Sequence, residues 1–125
     1  GYVAYFNSKL MNLLFSYKID RIYHNYINCY AINPGWLNTN FGNNNQSNIR
    51  FLLDFVRDKF ATKPSYVANK IFNICTNEEY LNYSGKYFVK SKIAKSSDLS
   101  YNKNLQDELW EKSLKMIRTQ KNEIK

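Results

Sequence analysis

Tyr5 and Lys9 stand four residues apart in the segment Ala4-Tyr5-Phe6-Asn7-Ser8-Lys9. On a helix, that spacing places two side chains on one face, about 40° apart around the axis and roughly 6 Å along it. A tyrosine hydroxyl ionises near pH ~10, and a neighbouring ammonium stabilises the phenolate, which makes proton transfer efficient closer to neutral pH. The pair therefore has the make-up of a general acid/base, Tyr5, with an electrostatic tuner, Lys9. The same spacing recurs at Tyr66 and Lys70, so spacing alone equally describes a surface lysine beside a half-buried tyrosine. His24 is the sole histidine and has no nucleophile near it in sequence, which reads as a solvated or helix-capping residue. Cys29 and Cys75 lie in apolar segments without C-x-x-C or Cys/His ligand spacing. Neither a metal site nor a disulfide scaffold is expected, and a reducing compartment is the default.

The elements that carry these residues follow from periodicity. Leu10, Leu13, Leu14 and Tyr17 recur at helical spacing and predict a helix from Val3 to about Tyr23. The β-rich run from Tyr26 to Ile32 predicts a buried strand, stopped by Asn33-Pro34-Gly35. That turn falls at the carboxyl edge of the strand, where open α/β sheets hold their ligands, and Thr39 is able to present a hydroxyl there. Residues 42–48 are a polar loop, and Phe51, Leu52, Phe55, Val56 and Phe60 predict a second helix over Ile49–Phe60. A third opens at Lys63-Pro64-Ser65, with Thr62 as its cap and Val67, Ile71, Ile74 and Cys75 as its buried face. Gly85–Val89 predicts a second strand, Ser91–Ser100 a connector, and Leu105, Leu109, Trp110, Leu114 and Ile117 a closing helix. Two strands separated by helices are expected to be parallel neighbours. Such a sheet ordinarily has further strands beside it.

Composition narrows the alternatives. A chain of 125 residues makes one domain, and 17% aromatic content with 44% hydrophobic residues favours a packed core over disorder. The net charge of +8 invites a nucleic-acid or anionic-membrane partner. The lysines from Lys59 to Lys103 are, however, dispersed among polar residues and interleaved with Glu78, Glu79 and Asp98. That pattern is a solvated surface, and no nucleic-acid partner is expected. No run approaches the ~18 apolar residues of a membrane helix, and the first residues lack the regions of a signal peptide.

The string from Ala4 to Phe15 resembles the active-site helix of the short-chain dehydrogenase/reductase family, especially its retinol-dehydrogenase-like group. Residues Ile27 to Thr39 look like the family's sixth strand and its Pro-Gly turn with a threonine after it. Ser84 to Val89 and Leu109 to Ser113 are similar to its last strand and terminal helix. The likeness is collinear over nearly the whole chain. It departs at Met11, where a small residue is commoner, at Asn33, where histidine often precedes the Pro-Gly, and in the Asn-rich loop.

The resemblance implies an α/β fold in which residues 1–125 are the C-terminal segment of a single domain. That segment is part of a Rossmann-type doubly wound parallel sheet, two strands with flanking helices. It implies Tyr5 and Lys9 as catalytic residues, Lys9 also bonding the nicotinamide ribose. Pro34, Gly35, the backbone of Leu37 and Thr39 then hold the nicotinamide end of NADP, or of NAD, and Trp36, Phe41, Phe51 and Phe55 form a substrate lid. The implied reaction moves hydride between that cofactor and a lipophilic aldehyde, ketone or alcohol, and a homodimer through the tyrosine-bearing helix is implied as well. The glycine-rich pyrophosphate fingerprint and the family's serine are absent from these residues. The expectation is therefore a fragment of a longer protein, one that alone binds no cofactor and whose localisation, cytoplasmic or through a membrane segment outside this chain, stays open. Two other readings remain: a truncated relative acting as a non-catalytic interaction module, and a small basic binding protein.

Overall fold

A computed structural model describes residues 1–35 and 62–123. Along the chain run helix α1 (Tyr2–Tyr23), strand β1 (Ala31–Asn33), helix α2 (Pro64–Thr76) and a 3₁₀ segment (Glu78–Tyr83). Strands β2 (Tyr87–Val89) and β3 (Lys92–Ala94), a second 3₁₀ segment (Asp98–Tyr101) and helix α3 (Lys103–Glu123) complete it. The class is α/β. The expected helix over 49–60 and the loop over 42–48 lie outside the described residues, as do Trp36, Leu37, Thr39, Phe41, Phe51 and Phe55.

The three strands form one sheet in the order β1-β2-β3. β1 and β2 are parallel, with Ala31 opposite Tyr87 and Asn33 opposite Val89, as expected for strands separated by a helix. The expectation of two strands is corrected by β3, which runs antiparallel to β2 inside the stretch read as a connector. The tight turn between them is Lys90-Ser91, and Lys90 takes a positive φ of 61°. Twisted hairpins require that conformation, but Gly, Asn or Asp usually supplies it.

The core centres on Phe88, which is fully buried on β2, with Val67 and Ile74 from α2 and Leu14 and Tyr17 from α1 also buried. The Tyr30 and Tyr80 rings meet Phe88 edge-on, at 6.1 and 6.0 Å between centroids. The Tyr30 hydroxyl donates to the Tyr80 carbonyl at 2.9 Å, which satisfies its polar end beside the core. Cys75, placed on the buried face of α2, is exposed instead, and Lys63 rather than Thr62 is the helix cap, with no side-chain bond. Pro64 at the first turn lacks an N–H, so one donor that a cap would serve is absent.

Helix α3 lies against α1. Trp110 packs on Phe15 at 5.3 Å, and the Lys18 ammonium donates to Asp107 at 2.7 Å, with Arg21 bonded to the same carboxylate. Ile117, expected on the inward stripe, is exposed, whereas Leu105, Leu109 and Leu114 are half-buried. The Asn102 side chain accepts from Asn104 and Leu105 N–H groups and starts the helix.

The C-terminal half of α1 is tied to the sheet by a chain of hydrogen bonds. Asp20 accepts from the Ser84 hydroxyl, which in turn accepts from the Cys29 amide at 2.9 Å. Gly85 follows with φ 72°, its N–H donating to the Cys29 carbonyl at 2.8 Å. A Cβ at Gly85 would overlap the Asp20 carboxylate. This close approach fixes where α1 lies on the sheet and therefore where its N-terminal half points.

Candidate functional site

Helix α1 continues beyond its anchorage, and its sheet-facing side there carries Tyr5, Lys9, Asn12 and Ser16. These recur at i, i+4, i+7 and i+11, one face of a helix. Opposite them run Tyr30 to Gly35, that is, β1 and the turn after it, and Tyr87 comes from β2. Together the two sides enclose a cavity of about 500 Å³. That volume lies within the usual range for small-molecule sites. The cavity runs along β1 and reaches the turn at its carboxyl end, the edge where parallel α/β sheets bind ligands.

Four of the expected site residues therefore come together: Tyr5, Lys9, Pro34 and Gly35. Tyr5 is 47% exposed, with its ring edge-on to Phe6 at 5.7 Å. The Lys9 ammonium lies over the Tyr5 ring, 5.3 Å from its centroid, so the cation faces the π-system of the phenol it accompanies. Lys70 lies over Tyr66 in the same way at 5.5 Å. The contact itself is thus a product of i, i+4 spacing, and what distinguishes Tyr5 and Lys9 is the cavity in front of them.

The turn is held rigidly. Asn33 Oδ1 accepts the Gly35 N–H at 2.9 Å, an Asx-type turn, and the Lys90 N–H donates to the Asn33 carbonyl at 2.7 Å. Gly35 has φ 79°, and a Cβ there would stand 3.1 Å from Lys90 Cε. Glycine leaves the backbone bare both to the lysine stem and to the cavity.

Of the other phenols beside the cavity, Tyr30 is pushed up from the ordinary tyrosine range by burial first and by Cys75 second, and its proton is committed to Tyr80. Tyr87 is half-buried and its oxygen accepts from Asn33 Nδ2 at 3.1 Å. Asn12, Ser16, Asn33 and Tyr87 also line the cavity and were not among the expected site residues. The helical period starting at Tyr5 would have found the first two, and the strand register was needed for the pairing of the others. His24 caps α1, its N–H donating to the Asp20 carbonyl, away from the cavity. Among the described residues, no cluster of three or more His, Cys, Asp or Glu is placed to hold a metal ion. No helix among them is long and apolar enough to cross a membrane.

Comparison with protein-family models, with curated proteins and with solved structures found no match to this chain.

Proposed function

We propose that the chain is the C-terminal segment of a short-chain dehydrogenase/reductase, part of a Rossmann-type doubly wound sheet. Its parent protein would move hydride between NADP, or NAD, and a lipophilic aldehyde, ketone or alcohol. The supporting observation is that Tyr5 and Lys9 line one cavity with the Pro34-Gly35 turn at the carboxyl end of β1. The turn supports a nicotinamide as the ligand: a glycine at φ 79° leaves its backbone bare to the cavity, which Lys9 also lines with a cation. Pro34 and Gly35, with Leu37 and Thr39, would hold the nicotinamide end, and Lys9 the ribose. When bound, the dinucleotide supplies or accepts the hydride.

The chain's own residues handle the proton. In the reducing direction, Tyr5 Oη gives its proton to the carbonyl oxygen as hydride reaches the carbonyl carbon; in the oxidising direction it takes the alcohol's proton. Lys9 stabilises the phenolate formed in the first case and present at the start of the second. The lid residues Trp36, Phe41, Phe51 and Phe55 would favour an apolar substrate. Replacing Tyr5 by Phe in the parent protein should abolish turnover while leaving the fold and NADPH affinity intact. Retained turnover removes the mechanism.

A second reading, a non-catalytic interaction module, is favoured by the exposed apolar residues around α1, including Tyr2, Val3, Phe6 and Met11. Exposed apolar side chains gathered at one end of a helix are a surface that a partner can cover. A homodimer through this helix belongs to the same proposal, and sedimentation of the parent protein tests it. A parent that assembles but reduces no carbonyl with NADPH would favour this second reading.

A further inference from the structure

Tyr87 is a cavity phenol whose hydrogen-bonding sense is fixed, through Asn33, by the backbone. The Gly35 N–H can only donate, so the atom of Asn33 that receives it at 2.9 Å must be the carbonyl oxygen. That leaves the Asn33 amino group to face the Tyr87 hydroxyl at 3.1 Å, and an amino group donates. The Tyr87 oxygen is therefore an acceptor toward Asn33, and its own proton is left over. Tyr30 differs, because its proton goes to the Tyr80 carbonyl. Ala31 stands opposite Tyr87 in the parallel register, so Asn33, two residues on, shares the Tyr87 face of the sheet. Both residues line the cavity in front of Tyr5 and Lys9. A hydroxyl that accepts one hydrogen bond becomes a better donor in the next, because the bonds polarise one another.

We propose that Tyr87, oriented by Asn33, is a second hydrogen-bond donor of this cavity and fixes an uncharged oxygen of the bound ligand. The acceptor is an amide carbonyl, as on a nicotinamide, or a carbonyl or hydroxyl oxygen of the substrate. The inference rests on the proposed function for the identity of these ligands. Tyr87 contacts ligand without transferring a proton, and Asn33 is a positioning residue acting through it.

The test uses the parent protein, with NADPH dissociation constants and steady-state kinetics on a medium-chain aldehyde. Tyr87→Phe should weaken binding about three- to tenfold, the loss of one neutral hydrogen bond, with kcat within a fewfold of wild type. A weaker NADPH constant assigns the acceptor to the cofactor, and a raised aldehyde KM at constant NADPH affinity assigns it to the substrate. Asn33→Asp keeps the acceptor for Gly35 but offers the phenol an acceptor in place of a donor, which turns its proton away from the cavity. It should lose as much binding as Tyr87→Phe, and the double variant no more than either. It also reads the proposal independently if Tyr87→Phe fails to fold. Binding unchanged within twofold in Tyr87→Phe, additive losses in the double variant, or a kcat collapse like that of Tyr5→Phe would each overturn the inference while leaving the proposed function standing. A wild type that binds NADPH without turning over aldehyde sinks the proposed function alone, since the NADPH constants still read Tyr87. A wild type that binds neither ligand sinks both.

Discussion

Gly85→Ala should destabilise the protein sharply, because two separate costs meet at one atom. Gly85 sits at φ 72°, a conformation that costs an L-residue about 1–2 kcal/mol. The added methyl would also overlap the Asp20 carboxylate, which is bonded to the Ser84 hydroxyl. Moving that carboxylate forfeits a charged hydrogen bond worth about 1.5–3 kcal/mol. The sum, about 2.5–5 kcal/mol, is a large share of the ~5–15 kcal/mol that holds a domain together, and it corresponds to a fall of roughly 8–20 °C in Tm. Denaturant unfolding of wild type, Gly85→Ala, Asp20→Ala and the double variant separates the two costs. With Asp20 removed, only the backbone cost should remain, leaving a coupling of about 2 kcal/mol between the sites. An equal cost of Gly85→Ala in both backgrounds would refute the claim that Asp20 occupies the space a side chain needs, and with it the account of how α1 is anchored.

Phe88→Ala should cost about 3–5 kcal/mol by urea titration, since it empties the centre of the core between Tyr30 and Tyr80. Lys18 first, then Arg21, hold the Asp107 carboxyl below the usual carboxylate range. A depressed folded pKa gives stability that is present above the unfolded value of ~3.9 and lost as pH falls through the folded one. The stability gap between wild type and Asp107→Asn should therefore be steady near neutrality and close below about pH 4. Burial pushes the Tyr17 phenol up to about 12, against the lowering effect of its hydrogen bond to Ser96. Its stabilising effect should be complete below about pH 10 and disappear as pH rises toward 12, read by phenolate absorbance and absent in Tyr17→Phe. Under the proposed function, Lys9→Met in the parent protein should lower kcat/KM at least about a hundredfold, as loss of acid/base tuning does, whereas Lys70→Met leaves it within twofold.

How much of this was legible depended on the range of the information. The periodicity of Leu10, Leu13, Leu14 and Tyr17 located α1 almost to the residue, and Pro34-Gly35 marked the end of β1. Both are local signals. The strand expected from Tyr26 shrank to Ala31–Asn33 because β2 offers only three partner residues, and Tyr26 is left 85% exposed despite its β-forming side chain. β3 was hidden because its turn uses Lys90 where a hairpin turn usually carries glycine or asparagine, and a three-residue strand offers too short an alternation to read. The Asn33 and Tyr87 pair was illegible for a different reason. Fifty-four positions separate them, and only the register of β1 on β2 sets them side by side.

The two tyrosine–lysine pairs carry the sharpest lesson about spacing. Tyr5 with Lys9 and Tyr66 with Lys70 adopt nearly the same cation–π geometry, 5.3 and 5.5 Å, so local chemistry does not distinguish them. Tyr66 is more exposed than Tyr5, and its helix buries Val67 and Ile74 into the core on a face that leaves the phenol in solvent. Tyr5 belongs to the part of α1 that overhangs β1 after Asp20, Ser84 and Gly85 have fixed the helix to the sheet. An ammonium in open water tunes a phenol weakly, because solvent screens it; one beside a concavity that a ligand can fill gains strength when water leaves. The difference in setting between the pairs is therefore made some fifteen residues away, at the contact that decides which way the helix points.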